Sequence, residues 1–336
     1  MKFITIQTMH RALINRNNTN ETHKILANSI WFILFSGMFY FVCLYASNSV
    51  YFAGKRIVVY MNPYMPLIGG QEALMTRSAM TSESVDVLVV GSSHAYRGYD
   101  PRVFLRYGFK LFNAGSSSQN PLVSQVLLEN FLERSDQMPL VIFDVYDKIL
   151  ELECSESVGR MLMNCEQQQI ANKLIFKDCS IRSMNVYFSR LFAGRSVDEV
   201  KCLDYVENGF CQTTKVLDSV PNERLGKFCG NSKTIDALDS CLNWLKIQNR
   251  KFILVSHPMP YQLGFEDYHK STNNLVNEMA NRYGSAYLDF SLLDGFSEDA
   301  SFFSDQTHLN QKGVEKYNAI LIDTLLTSGF LSIGMR

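Results

Sequence analysis

The sequence lacks the signatures of several common functional sites. It has no Cys-x-x-Cys pair, no His-Glu-x-x-His, no Gly-x-Gly-x-x-Gly and no P-loop. The zinc-ribbon, thioredoxin-type, zinc-protease, dinucleotide and nucleotide-phosphate patterns are therefore missing. The formal net charge is −1 from 32 basic and 33 acidic residues, without a long basic run. We accordingly expect no nucleic-acid partner, no metal and no cofactor.

The composition is that of a globular protein with an uneven cysteine distribution. Of its 336 residues, 46% are hydrophobic and 19% charged, enough for an extensive core. One of the eight cysteines, Cys43, lies in an apolar run, and the other seven fall between residues 154 and 241. In an oxidising compartment some of these seven should pair, leaving at least one thiol over. The alternative is that all are reduced and buried as small hydrophobic side chains.

One apolar run near the N-terminus has the length of a membrane span. Residues 25–46 are 22 positions without a charge, and about 20 apolar residues cross a bilayer core as a helix. Four basic residues lie in 1–24, whereas only Lys55 and Arg56 follow closely. This bias predicts a cytoplasmic N-terminal segment, an uncleaved anchor and a body outside. A cleaved signal peptide is the alternative, although its apolar region is usually about 7–15 residues long.

The body alternates short apolar runs with helix-like segments. A lead-in at 47–82 contains Pro63 and Pro66 and is interpreted as a membrane-proximal linker. Continuous apolar strands predict a three-layer α/β/α sandwich with a mainly parallel five-stranded sheet over residues 83–336. A stretch at about 150–230 does not follow this alternation of strands and helices. It is predicted to be a helical insertion over or beside the edge of the sheet where the strands end and a catalytic site is expected. The predicted strands are 85–90, 110–114, 140–146, 251–256 and 286–290.

A serine stands where the first predicted strand ends. The sequence there is Gly91-Ser92-Ser93-His94. A serine at a strand-to-helix turn projects its hydroxyl above the sheet edge, and Gly91 permits the tight turn. The backbone N–H of Ser93 would face the same pocket and help to hold an oxyanion. Ser93 is thus a candidate nucleophile, although a plain turn with a helix N-cap explains the same residues.

Two further elements accompany this serine. Asp305 and His308 are three residues apart before the last helix. That spacing lets a carboxylate hold the imidazole tautomer while the other ring nitrogen takes a serine proton; a helix cap is the simpler interpretation. Asn113-Ala114-Gly115 follows the second strand. Gly115 either presents an unobstructed N–H to the pocket or merely forms a turn.

The order of these elements resembles the SGNH hydrolase superfamily, the GDSL lipases and esterases, over residues from about 85 to 325. The resemblance implies that Ser93 is the nucleophile and that Asp305 and His308 form its base system. It also implies that the N–H groups of Ser93 and Gly115 hold the oxyanion. The expected chemistry is ester cleavage or acyl transfer through a covalent acyl-enzyme.

The chain departs from the family pattern at two places. Ser92 stands where the first block usually has Asp. Members also carry Gly-x-Asn-Asp after the third strand, whereas this chain has Phe143-Asp144-Val145-Tyr146. The missing Asn would be an oxyanion donor, and such a donor is worth about 2.7–4 kcal/mol. Three possibilities remain open: a slow enzyme, substitution by Tyr146 or a backbone N–H, and a non-catalytic accessory or glycan-binding module on the same scaffold.

The motif Gly-Ser-Ser-His-x-Tyr-Arg-Gly at 91–98 resembles that of a branch of membrane-anchored bacterial SGNH-like proteins. Some relatives modify exported polysaccharides by O-acylation, together with membrane-bound O-acyltransferases. The resemblance implies an acylated carbohydrate or other ester as substrate, such an acyltransferase as partner, and a body in the periplasm or at the cell surface. A soluble flavodoxin-like binding protein with a signal sequence is a further alternative.

Side chains near these elements are candidate substrate contacts. Tyr96 and Arg97 follow the nucleophile turn, and Arg97 either binds an anionic group or forms a surface ion pair. His257 follows the fourth strand and either touches substrate or is a structural histidine. His94 is expected to point away from the nucleophile, and His269 to lie on a helix surface. The candidates are Asn113, Tyr96, Arg97 and His257.

Overall fold

The N-terminal apolar run lies on one long helix, α1 (Ile6–Ser49). Its segment Glu21–Ser49 is long and apolar enough to cross a membrane. From Ile25 to Tyr45 the large apolar side chains are mostly exposed, unlike those of a helix in a soluble core. The residues described by the computed structural model are 6–61, 70–81, 84–133, 138–153, 155–193, 202–220 and 224–332.

The lead-in between α1 and the sheet contains more regular structure than a linker. Glu72 is buried there and accepts a hydrogen bond of 2.9 Å from the guanidinium of Arg160, which ties the lead-in to the body. The predicted linker at 47–82 therefore includes a docked helix; Pro63 and Pro66 lie outside the described residues. Its elements are β1 (Tyr51–Phe52), β2 (Lys55–Arg56), α2 (Ile57–Met61) and α3 (Gly70–Thr81).

A five-stranded parallel sheet forms the centre of the body. Its strands are β3 (Val87–Val90), β4 (Leu111–Asn113), β5 (Leu140–Asp144), β6 (Phe252–Ser256) and β7 (Ala286–Asp289). They pair in the order β4-β3-β5-β6-β7, and every pair is parallel. All four residues of β3 are fully buried, because helices cover both faces of the sheet and neither face needs polar side chains. The predicted sheet is confirmed.

The two faces of the sheet carry separate apolar clusters. The helices around the sheet are α4 (Ser93–Gly98), α5 (Pro101–Arg106), α6 (Pro121–Leu132), α7 (Ser155–Asn164), α8 (Gln168–Lys177), α9 (Ile181–Ala193), α10 (Ser232–Ile247), α11 (Phe265–Tyr283) and α12 (Gln311–Thr327). Val87 and Val89 pack with α4, α5 and α12 on one face. Leu88 and Val90 point the other way, towards α6, α10 and α11, as the two-residue period of a strand requires.

Asparagine side chains mark where three of these helices begin. Asn120, Asn231 and Asn310 each accept a hydrogen bond from a backbone N–H in the first turn of α6, α10 and α12. Each bond satisfies a donor that the helix itself cannot pair. Pro121 follows the first cap, where its missing N–H costs nothing.

The predicted insertion lies between β5 and β6. Its first part consists of the three consecutive helices α7, α8 and α9. Cys154 and residues 194–201 lie outside the described residues. The following residues 202–217, which we call the wall segment, return to the sheet. The N–H of Asn113 donates to the carbonyl of Asn208 at 2.9 Å, and the N–H of Cys211 donates to that of Tyr96 at the same distance. The wall segment thereby covers the outer side of edge strand β4.

Candidate active site

Ser93 is the first residue of α4, directly above the carboxyl end of β3. Gly91 makes this turn with a φ of +153°, and a Cβ there would lie 2.8 Å from both the Cβ and the carbonyl oxygen of Asp144. Only glycine fits such a close approach. Ser92 caps the helix by accepting from the N–H of His94 at 3.4 Å. The second serine is therefore left to project from the sheet edge.

His308 and Asp305 meet this serine from the far end of the chain. The Nε2 of His308 lies 2.8 Å from the Oγ of Ser93, across 215 residues of sequence. The Nδ1 of His308 lies 2.9 Å from each carboxylate oxygen of Asp305. With the proton on Nδ1 donated to Asp305, Nε2 is free to accept the serine proton. The three groups have the connectivity of a nucleophile, a base and an orienting carboxylate.

Local bonds hold the Asp305 loop in this arrangement. The backbone N–H groups of Thr307 and His308 both donate to Asp305 Oδ1 at 2.9 Å. The N–H of Ser304 donates to the carbonyl of His308 at 2.8 Å and closes the loop. Partial burial raises the pKa of Asp305, but the hydrogen bond and charge of His308 and these N–H groups outweigh it, so the pKa lies below its usual range. The carboxylate is therefore ionised at neutral pH.

His94 packs behind the candidate base, a contact that the sequence did not predict. Its ring is buried and stacks on that of His308, with centroids 4.7 Å apart and planes 19° apart. It also contacts the rings of His257 and Tyr146, at 4.4 Å and 3.7 Å. Burial, followed by the neighbouring imidazoles, holds the pKa of His94 well below 6.5. A neutral ring thus supports one face of His308. Sequence reasoning missed this contact because the direction of a side chain at a turn is not a local property.

His257 is enclosed rather than open to a ligand. Its side chain is 2% exposed, and its Nδ1 lies 3.2 Å from Asp144 Oδ2 without the alignment of a hydrogen bond. Asp144 is also buried and accepts from the hydroxyl of Tyr99 at 2.8 Å. The structure therefore encloses His257, and its contact with substrate stays a prediction. Asp144, at the place of the missing family Asn, belongs to an internal polar cluster.

Asn113 and Gly115 are bonded to each other. The Asn113 side chain is fully buried and donates to the carbonyls of Ala95 and Tyr99 at 2.7 Å and 3.1 Å. Its Oδ1 accepts from the N–H of Gly115 at 3.1 Å. Both polar atoms of the Asn113 side chain are thus engaged within the protein, and its contact with substrate stays a prediction. The Gly115 N–H, which the resemblance assigned to an oxyanion, is occupied by the same side chain.

A polar cleft of about 650 Å³ opens beside His308 and Asp305. Tyr96 and Arg97 line it, as the sequence predicted for a pocket, and the Arg97 guanidinium lies 5.4 Å from the Tyr96 ring centroid. Arg97 is also 4.0 Å from Asp204 of the wall segment. The cleft is thus bounded by Asp305 and His308 on one side and by the insertion on the other. Its remaining lining residues are Leu203, Val206, Gln212, Thr213, Thr214, Lys215 and Ser304.

Two cysteines of the wall segment are placed to form a disulfide. The Sγ atoms of Cys202 and Cys211 lie 3.8 Å apart, and both are free thiols here. A disulfide needs the two sulfur atoms about 2.05 Å apart, so the two side chains must move closer to form it. The hydrogen bond from Cys211 is the main cause that lowers the pKa of Cys202 to about 7, which makes Cys202 the attacking thiolate.

We expect an azodicarboxamide oxidant to join these two thiols, which lose two protons and two electrons while the oxidant becomes the hydrazine. Peptide mapping after alkylation should find a linked pair of peptides. Cys165 and Cys241 are buried and should remain thiols under the same treatment. A linked product that persists in Cys211→Ser, or alkylation of both peptides after oxidation, would contradict this.

His269 is buried between two carboxyl groups, not on the helix surface that the sequence predicted. Its Nδ1 lies 2.7 Å from Asp147 and its Nε2 3.0 Å from Asp289. Burial alone lowers the pKa of His269, but these two hydrogen bonds outweigh it and raise the pKa to about 9. Burial raises the pKa of both carboxyls. At Asp289 the hydrogen bonds from His269 and Ser291 outweigh burial and lower the pKa, whereas at Asp147 the hydrogen bond from His269 does not, and the pKa stays raised.

The His269 cluster predicts a pH-dependent stability. Because its folded-state pKa lies above the ordinary 6.5, the imidazolium stabilises the fold fully below about pH 6.5. This contribution, on the order of 2 kcal/mol, is lost as pH rises through about 9. The difference in Tm between the wild type and His269→Gln in detergent should therefore shrink over that interval. A difference that stays constant with pH would show that His269 is uncharged.

Comparisons with known proteins find likeness only among solved structures. Neither a protein-family model nor a curated protein matches the chain. A putative acylhydrolase from Bacteroides fragilis is 12% identical, with a TM-score of 0.38, over 75% of this chain and 95% of that one. A GDSL-like lipase from Bacteroides thetaiotaomicron is 11% identical, with a TM-score of 0.38, over 76% and 100%. A serine-to-alanine mutant of the esterase AlinE4 is 12% identical, with a TM-score of 0.33, over 75% and 100%. Likeness at this level carries no inference about activity.

Proposed function

We propose that this chain is a membrane-anchored serine esterase or O-acyltransferase that works through Ser93, His308 and Asp305. One observation carries the proposal: a serine hydroxyl at a sheet edge lies 2.8 Å from an imidazole whose other nitrogen is held by a carboxylate. A turn or a helix cap alone requires no such meeting of residues from opposite ends of a domain.

The proposed reaction has two halves. The Oγ of Ser93 attacks the ester carbonyl while Nε2 of His308 takes its proton, and Asp305 stabilises the imidazolium that forms. The imidazolium then protonates the departing alcohol, which leaves an acyl group on Ser93. In the second half His308 removes a proton from water or from a sugar hydroxyl, which attacks the acyl-enzyme. Water as acceptor gives an esterase, and a sugar gives a transferase.

The lining of the cleft favours a carbohydrate ester over a long-chain lipid. Arg97, Gln212, Thr213 and Lys215 offer polar groups along the wall of the cleft. Such groups form hydrogen bonds with sugar hydroxyls, whereas a lipid chain requires a long apolar groove. We propose an exported glycan ester as substrate, a body outside the cytoplasm held by α1, and a membrane-bound O-acyltransferase as partner.

A fluorophosphonate probe tests the enzymatic part directly. The activated serine should be labelled in the wild-type chain and not in Ser93→Ala, and acid quenching with peptide mapping should locate the adduct. Absence of labelling in a wild-type chain with a cooperative thermal transition would contradict an activated serine. The acyl content of surface glycans in cells carrying Ser93→Ala then tests the substrate class.

A non-catalytic glycan-binding module is the second candidate. It is favoured by the engagement of the Gly115 N–H with Asn113 and by Asp144 at the place of the family Asn. Both observations remove oxyanion donors that the resemblance implies. This candidate predicts binding of acylated oligosaccharides, unchanged by Ser93→Ala, without turnover of any ester.

A further inference from the structure

Helix α9 carries an exposed apolar stripe. Ile181 and Leu191 are 77% and 52% exposed, and Met184 and Phe192 are also open. Their spacing places them on one helical face. The opposite face, with buried Val186, packs against α7 within the body. A stripe of this kind marks a contact with another apolar surface rather than a solvated helix.

The stripe is continuous with the surface of α1. The ring of Phe188 contacts that of Phe41 with centroids 4.9 Å apart, and the ring of Phe192 lies 5.8 Å from that of Tyr45. The hydroxyl of Tyr40 donates to the side-chain carbonyl of Asn185. Helix α9 therefore lies alongside the body-proximal end of the long apolar helix, with its exposed side chains next to those of α1.

The position of these contacts along α1 determines a depth. The uncharged run of the sequence ends at Ala46, and Tyr40 is six residues before that end. At 1.5 Å per residue this is about 9 Å inside the apolar run. The contacts advance together along both helices, from Tyr40 with Asn185 to Tyr45 with Phe192, so α9 runs alongside α1. If α1 crosses a bilayer through that run, the first turns of α9 reach the acyl chains below the headgroups.

We propose that α9 is a second membrane contact, whose stripe inserts into the lipid leaflet on the body's side of the bilayer. Phe176, five residues before Ile181 in the chain, is also 81% exposed at the end of α8. The body is then not on a free tether but is held by two elements, α1 and α9, in one orientation to the membrane. This inference depends on α1 as a span and not on the chemistry of Ser93.

Tryptophan fluorescence of the full chain in lipid vesicles tests the proposal. The chain has two tryptophans, so Trp31→Phe with Trp244→Phe gives a silent background. Three separate variants are made in this background: Ile181→Trp, Leu191→Trp and, as a matched control, Leu105→Trp. Leu105 is 58% exposed on α5, on the opposite face of the sheet. Vesicles contain either ordinary phosphatidylcholine or the same lipid brominated on its acyl chains.

Both α9 variants should emit at short wavelength and lose about half or more of their intensity in brominated vesicles, whereas the Leu105 control should change little. Long-wavelength, unquenched emission from both variants would overturn the proposal, because the stripe would then face water. Short-wavelength emission without quenching, dependent on the protein-to-lipid ratio, would also overturn it in favour of a second copy of the chain. Equal quenching of the control would remove any special role of α9.

Discussion

Replacement of Ser93 by alanine is expected to lower kcat for a soluble p-nitrophenyl ester by about 10⁴- to 10⁶-fold. The change removes the only atom that bonds to the acyl group, whereas the cleft and the Asp305–His308 pair remain. The folded state loses the Ser93–His308 hydrogen bond, worth about 0.5–1.5 kcal/mol, so the variant should remain folded. Steady-state kinetics of the full chain in detergent, normalised by the concentration of folded protein, measures the effect.

Ser92→Ala is the matched control for this prediction. Ser92 is the neighbouring hydroxyl on the same turn, but it bonds to His94 and caps α4 instead of contacting His308. Its loss should lower stability by about 1 kcal/mol and leave kcat within about tenfold of the wild type. Equal loss of activity in both variants would indicate that the turn, and not the Ser93 hydroxyl, is what activity requires.

Replacement of Asp305 by asparagine is expected to lower kcat by about 10²- to 10⁴-fold. The amide oxygen can still accept from the N–H groups of Thr307 and His308, so the loop should keep its shape. What changes is the charge beside the imidazole and the preference for the tautomer with Nδ1 protonated. Loss of a fully buried carboxylate would lower kcat by the upper value, about 10⁴-fold. Asp305 is 53% exposed, so water and the hydroxyl of Thr307, 3.1 Å from Nδ1, replace part of its effect.

His308→Gln calibrates the role of the carboxylate. Loss of the base should lower kcat at least as much as Asp305→Asn does. The kcat of the double variant should be no lower than that of His308→Gln alone, because the two residues act as a unit. The kcat values of the wild type and the three variants, measured at one pH for proteins whose Tm values agree, are sufficient. If Asp305→Asn retains wild-type kcat while His308→Gln is inactive, Asp305 is only a loop residue.

Local sequence patterns were sufficient for the sheet. Each strand is a short continuous apolar run, and this pattern follows from burial on both faces, which the strand itself encodes. The long uncharged run likewise corresponds to the exposed helix α1. The lead-in was less predictable, because the burial of Glu72 depends on Arg160 far along the chain.

Side-chain environments at the site were predictable only in part. The sequence places Ser93 at a strand end and Asp305 near His308, since both are short-range patterns. It placed Asn113 and His257 in contact with substrate, and the fold buries both. The enclosure of His269 is another example, because a helical position has no local mark of which face will be covered.

The sequence by itself determined the class of the fold, the apolar helix and the residue types that the proposed chemistry needs. These properties depend on the period of apolar residues and on short-range turn geometry, which a chain carries in its own order. The tertiary structure alone decided that Ser93 and His308 lie 2.8 Å apart and that His94 supports the imidazole from behind. The physical reason is that strand order and helix packing, not local sequence, set the distances between residues that are far apart along the chain.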